Sequence, residues 1–161
     1  MTDDLTQLIA TVEEQERRLQ FATFTNADAL ALGLLVVELA LERELPVAID
    51  ITRGQQQLFH VALAGTAAHN DVWIARKTRT VRELGHSSFL AGLRAKLAGN
   101  VFDEAPWIDA RQFSGHGGCF PVNVIDVGLV GTVTVSGLPQ AADHALAVEA
   151  IEIFLSRGSS A

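Results

Sequence analysis

One cysteine, Cys119, is all that the 161 residues contain, so no internal disulfide can form and nothing points to an oxidising compartment. Charge is scarce too, at 19% of residues, and its balance is −7, which argues against general binding to DNA or RNA because phosphate neutralisation dominates such affinity. Long apolar runs are missing. The best of them, Ala27 to Leu41, is too short for a bilayer and stops at Glu42-Arg43-Glu44. Met1-Thr2-Asp3-Asp4 is acidic where a signal peptide is positive. The expectation is a cytoplasmic protein with no membrane or nucleic-acid partner.

What is present is apolar. Hydrophobic residues make up 48%, more than so few charges can comfortably surround, unless alanine, which buries little area, accounts for the excess. Surplus apolar surface generally finds a partner, so a homo-oligomer, dimer or higher, is expected. The length suits one domain over residues 1–161, able to bury roughly 70% of its unfolded surface.

Periodicity orders the elements. Leu5, Leu8, Ile9, Val12 and Leu19 share a helical face. A second helix starts near Thr25-Asn26-Ala27-Asp28 and is apolar almost all round to Leu41, so a sheet and neighbouring helix, or another subunit, must cover it. Val47 to Ile51 and Gln57 to Leu63 alternate across a turn at Arg53-Gly54-Gln55, a hairpin signature. Helices follow over Ala68–Leu84, closed by Gly85, and over Phe89–Ala98 after His86-Ser87-Ser88. The stretch from Val101 to Gly118 keeps no period and has room for one short strand. A second hairpin, Phe120–Ile125 and Leu129–Ser136, precedes a last helix opened by Gly137-Leu138-Pro139, with proline in its first turn, and fraying through Arg157-Gly158-Ser159-Ser160. Hairpins in place of β-α-β crossovers imply an antiparallel sheet flanked by helices, an α/β fold of the α+β kind.

The usual nucleotide signatures fail. There is no Gly-x-x-x-x-Gly-Lys, and Gly115-His116-Gly117 has Phe120 where a dinucleotide fingerprint needs its third glycine. A serine hydrolase would need glycine in place of Phe89 in Gly85-His86-Ser87-Ser88-Phe89. His116 and Cys119 could approach one ion, but the other ligands of a structural zinc site are not evident, and no metal site is expected. Haem asks for less: one axial histidine, an apolar slot and cations for its propionates, which Phe89, Phe113, Phe120 and the Arg76/Arg79 cluster could supply. Arg76, Lys77, Arg79 and Arg82 read otherwise as a solvated helix face. Two polar loops, His86-Ser87-Ser88 and Gly115 to Cys119, remain. Their glycines either serve tight turns or leave backbone N–H groups open to an anion. Cys119 reads as a small buried hydrophobe or, near His116, as a reactive thiol.

Five blocks then occur in order. They are Val47–Ile51 with Thr52-Arg53-Gly54 and Gln57-Leu58-Phe59-His60; Asn70-Asp71 with Trp73-Ile74 and Arg76-Lys77; Gly85-His86-Ser87-Ser88-Phe89; His116-Gly117-Gly118 with Phe120-Pro121; and Val130 to Gln140 followed by Asp143-His144. Together, over about residues 20–156, they resemble the GlcG/HbpS-like superfamily of haem-degrading-domain proteins, related to the C-terminal domain of PduO. The resemblance implies a profilin-like fold with about five antiparallel strands, assembled into dimers and larger rings. It implies a ligand pocket at Trp73, Arg76, Lys77, His86, Ser87, Ser88, His116, Gly117 and Gly118, with haem as a possible cofactor and no iron ligand assigned. The expected function is binding of a small anionic ligand, haem or another tetrapyrrole. Its rivals are an enzyme using His116 as acid and base, and a non-catalytic assembly module.

Overall fold

The computed structural model describes residues 2–158. The first period-two run becomes β1 (Ala48–Arg53) and β2 (Gln56–Ala62), turned at Gly54, whose φ of 58° suits glycine. The second becomes β3 (Cys119–Val124) and β4 (Gly128–Ser136). The hairpins lie side by side in the order β2-β1-β4-β3, antiparallel throughout, because β1 pairs with β4 through Ile51↔Val133 and Thr52↔Thr132. Among the described residues four strands form where about five were expected. The remainder is one residue long: Phe21 makes a parallel bridge to Val124, donating to the Asn123 carbonyl at 2.8 Å and accepting from the Ile125 N–H at 2.9 Å.

The helices are α1 (Thr2–Arg18), α2 (Asn26–Glu42), α3 (Ala68–Leu84), α4 (Ser88–Leu97) and α5 (Gln140–Ser156). Thr25 and Asp28 cap α2 reciprocally, each side chain accepting from the other's backbone N–H. Pro139 stands just before α5 and not in its first turn. The irregular stretch holds a single 3-10 turn, Phe102–Glu104, and no strand. Ser159 and Ser160, where fraying was expected, lie outside the described residues.

One sheet face is apolar. Ile49, Ile51, Phe120, Val122, Val133 and Val135 are buried beneath α2 and α5. The opposite face carries Asp50, Thr52, Cys119, Thr132, Thr134 and Ser136, and these are buried as well, under α3. Hydroxyls there satisfy one another, Thr52 with Thr132 at 2.7 Å and Thr78 with Thr134 at 3.2 Å. The site described next occupies this polar layer. α1 belongs to a smaller cluster with α4, joining Ile9 and Val12 to Phe89, Leu90 and Leu93. The sheet and α5 cover only part of α2, leaving Leu30, Leu34 and Leu41 exposed in a stripe.

Candidate functional site

The glycine turn that enters β3 is held by side chains, and it offers almost no free backbone donor. Asp103 accepts from the Gly115 N–H at 2.7 Å and from the Ser114 hydroxyl at 3.1 Å. Ser114 Oγ takes the His116 N–H, Gln140 Oε1 the Gly117 N–H, Thr80 Oγ1 the Ser114 N–H, and Ser88 Oγ the Cys119 N–H. An anion-binding nest needs those groups unsatisfied, so the reading of the turn as an open N–H cradle is overturned. Its glycines answer to packing. A Cβ at Gly115 would press on Phe102, and one at Gly117 on Phe89 and the Gln140 carbonyl. Gly118 combines a φ of 139° with the Lys77 ammonium and the Val135 carbonyl directly against it.

His116 is the part of the turn that faces outward. Its ring stacks on Trp73 with centroids 5.0 Å apart and planes 24° from parallel, and Arg76 lies over the same indole at 5.1 Å. The Trp73 indole N–H donates to His69 Nε2 at 3.0 Å, one helical turn back. His116 Nε2 stands 3.7 Å from Asp103 Oδ2. The α3 period brings Trp73 and Lys77 to one side, four residues apart. Lys77 is not on a solvated face. It is buried, donating to the Val135 carbonyl at 3.1 Å and to Asp143 Oδ2 at 3.2 Å. Asp143, in the first turn of α5, also accepts from the N–H groups of Gly137 and Leu138. Burial pushes the Lys77 ammonium down and the Asp143 carboxyl up, and each charge holds the other's ionisation partly in place.

Trp73, Lys77, His116 and Asp143 thus line one polar pocket of about 280 Å³, completed by Asn70 and Gln140. On its other side His116 borders an apolar groove of about 420 Å³ walled by Leu8, Phe89, Leu93, Val101 and Phe102, with Lys96 at the margin. His86, Ser87 and Ser88 are not brought to this pocket. Glu16, reaching across from α1, accepts from His86 Nδ1 at 2.9 Å and from the Ser87 hydroxyl at 3.2 Å, while Ser87 also caps α4. Ser88 pegs the start of β3. The two loops therefore serve different places, one a clamp for α1 and the other the pocket rim. Cys119 is fully buried, its thiol pushed up to about 12 by burial, which fits the bland reading of a small core residue. Asp103, Gln140 and Asp143 escaped sequence reasoning as site residues. Gln140 and Asp143 carried a signal, since both fall in the last of the five blocks.

Residues 24–152 match the family described as haem degrading protein HbpS-like. A UPF0303 protein of Streptomyces coelicolor is 58% identical over 147 residues, covering 91% of this chain and 93% of that one. The chain belongs to the HbpS-like family. Among solved structures, that of the Ybr137w protein superposes on this HbpS-like chain with a TM-score of 0.84 at 33% identity, over 92% of this chain and 88% of the other. A PduOC:heme complex shares the fold with a TM-score of 0.66 at 17% identity, over 81% and 94%. The antiparallel sheet flanked by helices that the resemblance implied is the fold of this family.

Proposed function

We propose that this protein binds a small, flat, partly anionic ligand at His116, a haem or another tetrapyrrole, and does so as a cytoplasmic homo-oligomer. One observation carries the reading. The His116 ring, half-exposed and braced on Trp73, stands on the shared rim of a polar pocket and an apolar groove. Tested against haem, the polar pocket alone is a poor match, because Lys77 is already committed to Asp143 and few apolar side chains line it. The groove fits better. Leu8, Phe89, Leu93, Val101 and Phe102 would hold an apolar macrocycle, His116 would offer an imidazole nitrogen, and Lys96 and Arg76 would meet carboxylates. A haem bound there would supply an iron centre whose reactivity the histidine tunes. The family description and the haem named with the PduOC structure lend support from outside the chain.

Titrating the protein with hemin should shift the Soret band to saturation at one equivalent per chain. His116→Ala and Trp73→Ala should weaken binding at least tenfold, while His86→Ala, held at the Glu16 clamp, should bind as wild type. No shift, or a shift indifferent to His116→Ala, would sink the proposal. Loss of the band with a reductant, in native but not heat-denatured protein, would move the reading to haem breakdown at the same histidine.

The assembly half of the proposal rests on α2, where Leu30, Leu34 and Leu41 are exposed at helical spacing with Val37 between them. Such a stripe suits a second copy of the helix. Leu34→Glu should convert the sedimenting species to a smaller one, and an unchanged profile would remove α2 as the contact.

A further inference from the structure

The polar layer under α3 holds a second cleft, on the flank of the helix away from His116. It has a volume of about 360 Å³ and runs between α3 and the β1–β2 hairpin. At one end is an acidic group. Asp50 is almost wholly buried on the central strand, yet no lysine or arginine pairs with it among the described residues. Its Oδ1 alone takes both Gln57 Nε2, at 2.6 Å, and His60 Nδ1, at 3.0 Å. The far nitrogen of His60 lies 3.2 Å from Asp71, in the first turn of α3. The two carboxylates thus approach opposite nitrogens of one imidazole and do not converge on a point, which is unsuited to a metal ion.

At the other end are Arg79 and Arg82, one helical turn apart, neither paired with a carboxylate among the described residues. Arg82 Nη2 rests on Thr52 Oγ1 at 3.3 Å and on the Gly54 carbonyl at 2.9 Å, and Arg79 reaches the Gln112 carbonyl at 3.2 Å. Each guanidinium has more donors than these contacts use. Asp50 and Thr52 are successive residues on the same face of β1, about 7 Å apart along the strand, and Arg82 rests on the second of them.

We propose that this cleft is a binding site for a small zwitterion, with its carboxylate against Arg79 and Arg82 and its ammonium against Asp50. Two guanidinium groups one turn apart suit a carboxylate, which accepts in pairs. The acidic end excludes a simple dianion by repulsion and rewards a cation at the matching distance. The proposal is independent of the hemin reading, since no residue lining this cleft lines the pocket or groove at His116.

Calorimetric titration with γ-aminobutyrate and ε-aminocaproate brackets the required charge separation, and caproate and hexylamine lack one charge each. At least one of the zwitterions should bind once per chain, with caproate and hexylamine at least tenfold weaker. Arg82→Gln and Asp50→Asn should each reduce that binding at least tenfold, while Asp71→Asn, beyond the His60 ring, should leave it within about twofold. Asp50 is buried, so the urea midpoint of Asp50→Asn is measured beside its binding, and Arg82→Gln, at an exposed residue, reports on binding alone. Caproate binding as tightly as the zwitterions would overturn the proposal, as would survival of binding in Arg82→Gln or silence from both zwitterions at millimolar concentration.

Discussion

Replacing Lys77 by alanine should lower the stability of the protein by about 3–5 kcal/mol, the usual cost of stranding one partner of a buried ion pair. Lys77 and Asp143 are both buried, and their 3.2 Å contact is the only ion pair in the described residues with both side chains almost fully withdrawn from water. Without the ammonium, the Asp143 carboxylate keeps its bonds to the Gly137 and Leu138 N–H groups but loses its countercharge. The Val135 carbonyl also loses a donor. Urea unfolding at neutral pH should show the loss as a lower midpoint with an unchanged slope. The pair itself need not be stabilising. Lys77→Met with Asp143→Asn removes both charges while an amide oxygen can still accept from Leu138. That double variant should recover more than half of what Lys77→Ala loses. Equal destabilisation of the single and double variants would show that lost packing, and not a stranded charge, is responsible.

Acid should destabilise the fold well above the range where most carboxylates titrate, through one histidine. His144 sits in α5 with its ring 4.8 Å from that of Phe89 and 5.9 Å from that of Phe120. Nε2 meets Gln15 Oε1 at 2.7 Å, and Nδ1 is buried with no partner. Burial pushes its pKa down to about 4. In the unfolded chain the same group titrates at about 6.5, so between these values the unfolded state binds the extra proton. Stability from this group is therefore complete above about pH 6.5 and drains away as the pH falls toward 4. The loss is about 3 kcal/mol at its full extent, on the order of 1.4 kcal/mol per pH unit at its steepest. His144→Gln retains an amide able to donate to Gln15 and has no proton to gain. Its unfolding free energy should vary much less across that window, and a slope equal to wild type would assign the acid sensitivity elsewhere.

Period two in Val47–Ile51 and Leu129–Ser136, the Thr25–Asp28 cap, Gly54 and Gly85 are local signals, and the elements they announced are present within a few residues. The strand total was the main error: about five came from the resemblance, and the contact of Phe21 with Val124 is too short to make the last of them. The site was legible in pieces. Trp73, Arg76 and His116 were singled out and do meet, whereas His86 and Ser87 were grouped with them and instead hold α1 through Glu16, a partner 70 residues away in the chain.

By itself the sequence determined the elements, their antiparallel character and the family, because caps, turns and hydrophobic periods act over a few residues. Only the tertiary structure decided which polar residues share a cavity. The pairing of β1 with β4 joins residues about eighty apart and lays α3 across a face of threonines, Asp50 and Ser136. That crossing buries Lys77 against Asp143 and separates the zwitterion cleft from the pocket at His116. It also closes the glycine turn, whose N–H groups looked free in one dimension and are taken in three by Asp103, Gln140 and Ser88. Burial must satisfy every polar group from whatever the fold brings near, and that supply depends on contacts distant in the chain.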